Sequence, residues 1–175
     1  IKELYSEVKE TGNHLLTITV KTKLGTISQT EVKEIETYLC NIEEWGYFEL
    51  TLFYFVSDYL NVNQLELLLF NFDKRCENYC RVLKYKSVAI YAANGERAKA
   101  ENILEMTKKY RTVGVDLYSE VLRHLARGII IFNFENVEVG EEKINYALET
   151  LEEFGGMKIK EFYQKKMEKY LKKSI

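Results

Sequence analysis

The sequence predicts an all-α fold built as an array of antiparallel helix pairs, and three observations carry that reading. The 175 residues contain no proline, which disfavours the many turns of a sandwich or barrel and suits helices joined by short loops. Apolar residues recur at three- and four-residue steps through most of the chain, the period of a helix with one buried face. The helix pairs begin near residues 12, 46, 81, 116 and 157, a spacing of roughly 35 until the last step, close to the period of about 34 in tetratricopeptide arrays. The expected architecture is a tetratricopeptide-like, right-handed array of one domain, residues 1–175, closed by a C-terminal capping or dimerisation helix.

Each element has its own warrant. Lys2 to Lys9 alternates charge with Leu4, Tyr5 and Val8 and reads as the tail of a helix, interrupted at Gly12. His14 to Leu24 is rich in Thr, Val and Ile and passes locally for a strand; the absence of a partner strand downstream makes it a helix. Thr30 to Glu44 is a helix with Ser28 or Thr30 as N-cap and Val32, Ile35, Leu39 and Ile42 on one stripe. Gly46 breaks it, because glycine takes left-handed backbone at little steric cost. Trp45, the sole tryptophan, wedges at that corner. Tyr47 to Leu60 is apolar on most of its surface and therefore central, with Glu49 pointing a carboxylate out of it.

Gln64 to Tyr79 follows, with Leu65, Leu68, Leu69, Phe72 and Cys76 on one stripe. Arg81 to Ala93 ends at Asn94-Gly95, a helix corner rather than a hairpin because its flanks have helical period. Arg97 to Tyr110 resumes. In this pair Tyr91, Gly95, Ala100 and Leu104 occupy the aromatic, turn-glycine, small and large positions of a tetratricopeptide repeat, the small one letting two helices approach. Asp116 caps a helix through Phe132, a loop covers Asn133 to Gly140, and Glu141 to Phe154 is amphipathic until Gly155-Gly156. Met157 to Lys173 closes the chain with Phe162, Met167, Tyr170 and Leu171 among seven lysines.

Composition narrows the function. With 46% apolar and 30% charged residues the chain is globular rather than disordered. A net charge of −2 gives no global attraction to nucleic acid. Glu161 and Glu168 dilute the terminal lysine run, which reads as a solvated face bordering a dimer interface. No apolar run spans a membrane, no signal peptide opens the chain, and Ile1 in place of an initiator methionine suggests a fragment or processed chain. Cys76 and Cys80 lie one helical turn apart, but nothing supplies a second close ligand pair, so no metal or other cofactor is expected. No nucleotide-binding, nucleophile-elbow or metalloprotease motif is present. His124, between Arg123 and Arg127, suits helix packing or surface better than general-base work. An enzyme is not expected.

Trp45-Gly-Tyr-Phe-Glu-Leu-Thr-Leu-Phe53, preceded by Tyr38-Leu-Cys-Asn-Ile-Glu-Glu44, resembles the regulatory domain of Rgg/GadR/MutR transcription factors. The leucine-rich Gln64 to Phe72, the degenerate repeats and the lysine-rich last helix are similar too. The resemblance implies a cytoplasmic sensing module of a Gram-positive regulator that binds a short signalling peptide on its concave face and forms a homodimer. DNA would be reached only through a helix-turn-helix domain that this chain lacks, and no membrane is involved.

In such an array the first helix of each pair lines the concave side. The repeat register places Glu49 and Phe53, then Lys86 and Ala89, then Arg123 and Arg127 on that side, with Ala92 and Ala93 leaving space at its middle. Two arginines one turn apart suit a carboxylate or backbone carbonyls. The alternative is that they pair with Glu120 or other acids and hold the array together. A second functional class, a scaffold that docks another protein without a small ligand, fits the same helical array.

Overall fold

The computed structural model describes residues 2–75, 81–107 and 117–171, and every regular element among them is helical. Backbone proximity groups the chain into two compact units, residues 1–80 and 81–175. Cys76, Tyr79, Cys80, Tyr110, Asp116 and Lys173, named in the sequence reading, lie outside the described residues.

The first unit holds α1 (Lys2–Glu10), α2 (His14–Leu24), α3 (Gln29–Asn41), α4 (Tyr47–Val56), a 3-10 turn (Ser57–Tyr59) and α5 (Val62–Arg75). The β-branched run of α2 sits in a helix because its threonines return their hydroxyls to helix carbonyls: Thr17 to Asn13, Thr19 to Leu15 and Thr22 to Thr19. Asn13 caps its start by accepting from the Leu16 N–H. Ser28 caps α3 in a reciprocal box with Glu31. Val32, Ile35 and Leu39 of α3, Leu52, Phe53 and Val56 of α4, and Leu65, Leu68 and Phe72 of α5 form the core. α4 packs against α2 and α3, and α3 against α5. Polar ties reinforce this packing. The buried Glu36 of α3 accepts from Lys33 at 2.7 Å and from the Gln64 amide at 2.6 Å, and the Tyr59 hydroxyl donates to the Thr22 carbonyl at 2.6 Å.

Glu31 carries a pH dependence. Its carboxylate accepts from Lys21 and from the Ser28 N–H, and these bonds, the lysine first, hold its pKa below the usual carboxylate value. A depressed folded-state pKa contributes stability above the unfolded value of about 4.3, lost as pH falls through the folded value. Glu31→Gln should therefore shift acid unfolding, followed by circular dichroism, to higher pH, while the two proteins converge at the acid limit. Superimposable acid titrations would refute this.

The second unit holds α6 (Arg81–Ala93), α7 (Arg97–Met106), α8 (Leu117–Phe134), α9 (Val137–Gly155) and α10 (Met157–Tyr170). α6 is buried on all sides from Leu83 to Ala92, and α7, α8 and α10 all pack on it. The repeat positions fall as expected: Tyr91, Ala100 and Leu104 are buried, and Gly95 turns the corner at a φ of 81° that a larger residue would resist. The fold is thus all-α and tetratricopeptide-like, with α10 as its terminal capping helix.

The expected loop from Asn133 to Gly140 is corrected. α8 runs on to Phe134, only Glu135 and Asn136 intervene, and α9 starts at Val137 rather than Glu141. Asn136 is the N-cap, accepting from the Val139 N–H at 2.9 Å. Gly140 is a contact point inside a helix, not a break. Met167 and Tyr170 of α10 are buried, and the Tyr170 carbonyl accepts from the Asn133 amide at 3.2 Å. α10 thus spends these two apolar residues on packing within its own chain, against α6 and α9.

Candidate functional site

In the first unit the candidate residues sit at the α3–α4 corner. Gly46 does mark the start of α4, but its backbone is extended (φ −90°, ψ −168°) rather than left-handed. What sets the corner is Glu49. Its carboxylate folds back to accept the Gly46 N–H at 2.9 Å, satisfying a donor that the helix start leaves open, and also accepts from the Tyr38 hydroxyl at 2.9 Å. The expectation that Glu49 points out of its helix is therefore corrected: the carboxylate is held by the helix N-terminus and is almost fully buried. Burial first, and the Glu49 hydrogen bond second, raise the pKa of Tyr38 above the ordinary tyrosine value.

Phe53 has no exposed surface. Its ring meets Trp45 at 5.6 Å and Phe72 at 6.1 Å, centroid to centroid, and the Trp45 indole donates to the Leu39 carbonyl at 3.1 Å. This aromatic cluster ties α3, α4 and α5 together, and the expected place of Phe53 on a ligand-facing side is corrected: its fully enclosed ring belongs to the core. Tyr38 connects the corner to a cleft of about 1100 Å³ along α3, which is also lined by His14, Lys33 and Glu34. The sequence reading missed this cleft, although Thr30, Lys33, Thr37 and Asn41 recur along α3 at the steps that a polar flank produces.

In the second unit Lys86 and Ala89 lie on the enclosed helix α6, both buried, and Ala92 beside them is fully buried rather than opening space. Arg123 and Arg127 share one flank of α8, which packs against α6. Arg123 grips Glu120 through two guanidinium nitrogens at 3.0 Å. Arg127 reaches Glu135 at 3.5 Å, and the same carboxylate accepts from Arg97 of α7 at 3.0 Å. Both arginines are therefore paired, as the alternative reading held. The pairs differ in exposure: the Arg127 side chain is 44% exposed and that of Arg123 20%. Exposed ion pairs are worth about 0–1 kcal/mol, so an incoming carboxylate or carbonyl can exchange for Glu135 at little cost. Sequence inspection had no means of finding the Arg97–Glu135 bridge, whose partners are far apart in the chain.

Among the described residues no group of three or more metal-ligating side chains occurs, and no helix is long and apolar enough to cross a membrane.

Comparison with known proteins identifies the family. The family model for the C-terminal domain of the HTH-type transcriptional regulator Rgg matches residues 1–165. No curated protein matches the chain in sequence. Among solved structures, the chain is similar to the SHP pheromone receptor Rgg2 of Streptococcus dysgalactiae, with a TM-score of 0.71 and 19% identity over 93% of this chain and 67% of that one. A form of that receptor with one cysteine replaced by serine gives a TM-score of 0.70 and 19% identity, over 93% of this chain and 66% of the other. A candidate transcriptional regulator from Listeria monocytogenes EGD-e gives 0.64 and 16%, over 97% and 66%. The chain thus spans about two thirds of the length of each. At these identities the structural likeness speaks to the fold.

Proposed function

Because the chain belongs to the family of C-terminal domains of Rgg-type transcriptional regulators, we propose that it is the ligand-sensing and dimerisation domain of a cytoplasmic regulator, binding a short signalling peptide to control transcription. In this reading residues 1–175 act as one regulatory domain, two copies pair, and DNA is engaged only through a helix-turn-helix domain outside this chain. The observation that carries the reading is the arginine flank of α8: Arg123 and Arg127, one turn apart, partly exposed and held by replaceable acids. There they meet a peptide carboxylate or backbone carbonyls, on a helix that packs against α6, the helix of the buried Lys86 and Ala89. Within the first unit, Glu49 and Phe53 fix the start and packing of α4. That SHP pheromone receptors share the fold supports a peptide as ligand.

The test is fluorescence anisotropy of a panel of labelled short peptides against this chain. Charge-assisted hydrogen bonds contribute about 1.5–3 kcal/mol each, so Arg123→Ala with Arg127→Ala should weaken any binder by tenfold or more while the circular dichroism spectrum stays unchanged. Peptides that bind the double variant as tightly as the parent would remove the arginines from the site. A scaffold function without a small ligand would use the cleft along α3; it predicts no peptide binder at all and a protein partner lost on Lys33→Glu.

A further inference from the structure

The acid that holds Arg127 is itself held from two sides. One carboxylate oxygen of Glu135 accepts from Arg97 of α7 at 3.0 Å and from Arg127 of α8 at 3.5 Å. The Arg97 side is the firmer. That guanidinium also reaches Glu101 one turn along α7 at 2.9 Å, and it lies 6.0 Å over the ring of Phe134, the neighbour of Glu135 in the chain. The bond to Arg127 is longer than an ordinary N–H···O hydrogen bond. Glu135 sits in the short turn between α8 and α9, where its own N–H is bonded to the Ile131 carbonyl at 2.9 Å. Its backbone is therefore fixed while its carboxylate leans between two helices. All three side chains reach solvent, Arg97 at 47%, Arg127 at 44% and Glu135 at 32% exposed.

In this cluster the guanidiniums of Arg97 and Arg127 meet the carboxylates of Glu101 and Glu135, so its charges balance as they stand. The surroundings leave that balance in place. Arg123 pairs with Glu120 and Lys99 with Glu96, His124 is exposed one turn before Arg127, and Glu138 is exposed in the first turn of α9. A carboxylate arriving at Arg127 therefore meets Glu135 as a like charge on the same guanidinium, whereas a neutral carbonyl meets it as a rival acceptor alone. We propose that Glu135 is a built-in competitor of the ligand. It occupies Arg127 in the free chain, and an arriving carboxylate takes its place while Glu135 withdraws fully onto Arg97. Arg97 is then a positioning residue: it stays off the ligand and sets how readily Glu135 gives up Arg127. The carboxylate comes from a peptide C-terminus or from an acidic side chain. This rests on the peptide binding proposed above for the arginine flank and names what regulates it.

The experiment is a double-mutant cycle on Arg97 and Glu135, read by fluorescence anisotropy of labelled short peptides with circular dichroism as a control for folding. Each peptide is prepared with a free C-terminal carboxylate, with an amidated C-terminus, and with its acidic side chains replaced by amides. Glu135→Gln should tighten binding of the carboxylate-bearing forms by about threefold, and Arg97→Ala should weaken it by about threefold, the weight of one exposed ion pair. In the Glu135→Gln background Arg97→Ala should have no effect, a coupling that a merely structural network, in which every variant weakens binding, does not give. The peptide form that loses the gain from Glu135→Gln identifies which carboxylate is read. The competitor is overturned, and the arginine site kept, if binding depends on Arg123 and Arg127 but Glu135→Gln fails to tighten it or Arg97→Ala weakens it in both backgrounds. An equal gain for a peptide stripped of every carboxylate has the same consequence. Binding that is absent from both the parent and Glu135→Gln, or indifferent to Arg123→Ala with Arg127→Ala, overturns the arginine site and the competitor together.

Discussion

Replacing Trp45 with alanine is expected to cost about 3–5 kcal/mol, the range for removing a buried aromatic ring from a core, a large fraction of the 5–15 kcal/mol that holds a typical domain together. The ring is 5% exposed and contacts Phe53 and Phe72 at 5.6 and 5.9 Å. Each aromatic pair adds about 0.5–1.5 kcal/mol beyond the area it buries. Trp45→Phe separates the contributions. It keeps most of the apolar contact and removes the indole N–H that satisfies the Leu39 carbonyl, so about 1–3 kcal/mol should be lost. Urea unfolding followed by circular dichroism checks both, since the sole tryptophan cannot report on its own absence. An alanine variant within about 1 kcal/mol of the parent, well below the range for a buried ring, would show that the cluster does not hold α3, α4 and α5 together. Because Glu49, its Gly46 contact and Tyr38 sit at the same corner, loss of Trp45 should also loosen the cleft on α3.

Helix period alone placed nearly every helix, because a buried stripe at three- and four-residue steps survives whatever the neighbours do. Two features escaped it, one set by a tertiary neighbour and one by a local cap. Gly140 reads as a helix breaker from composition, but its role is set by the backbone of Phe132 on another helix. Glu49 reads as a charge looking outward from an apolar helix, whereas the open N–H groups at the helix start draw the carboxylate back. The register from the repeat period brought Arg123 and Arg127 onto one flank of α8, a matter of local geometry. It could not tell that Phe53 lies in the core, because Trp45 and Phe72 come from either side of its helix. Nor could it reveal Glu135, which binds arginines of α7 and α8 at once.

Gly140→Ala should destabilise the second unit even though alanine is the better helix former. Helix propensity favours alanine over glycine by about 1 kcal/mol inside a helix, and were this the larger effect the variant would gain stability. A Cβ at Gly140 would stand 2.4 Å from both the Cα and the N of Phe132, closer than non-bonded atoms can approach. The obstacle is backbone, so no rotamer change relieves it, and α8 and α9, the most extensively packed pair of helices among the described residues, must move apart. Overpacking costs typically about 1–3 kcal/mol; with an immovable neighbour the upper end applies, and a net loss near 2 kcal/mol remains. Gly128 supplies the internal comparison: its added Cβ would meet the Ile144 side chain at 2.9 Å, with backbone no nearer than 3.2 Å. Gly128→Ala should therefore cost less. Urea midpoints in the order parent, Gly128→Ala, Gly140→Ala are the expected result, and an unchanged or raised midpoint for Gly140→Ala would show that α9 can shift freely on α8. The consequence reaches the proposed site, because Glu135 sits in the tight turn between these helices and pairs with Arg127. Separating α8 from α9 should thus also weaken the peptide binding proposed for the arginine flank, which the anisotropy assay reads.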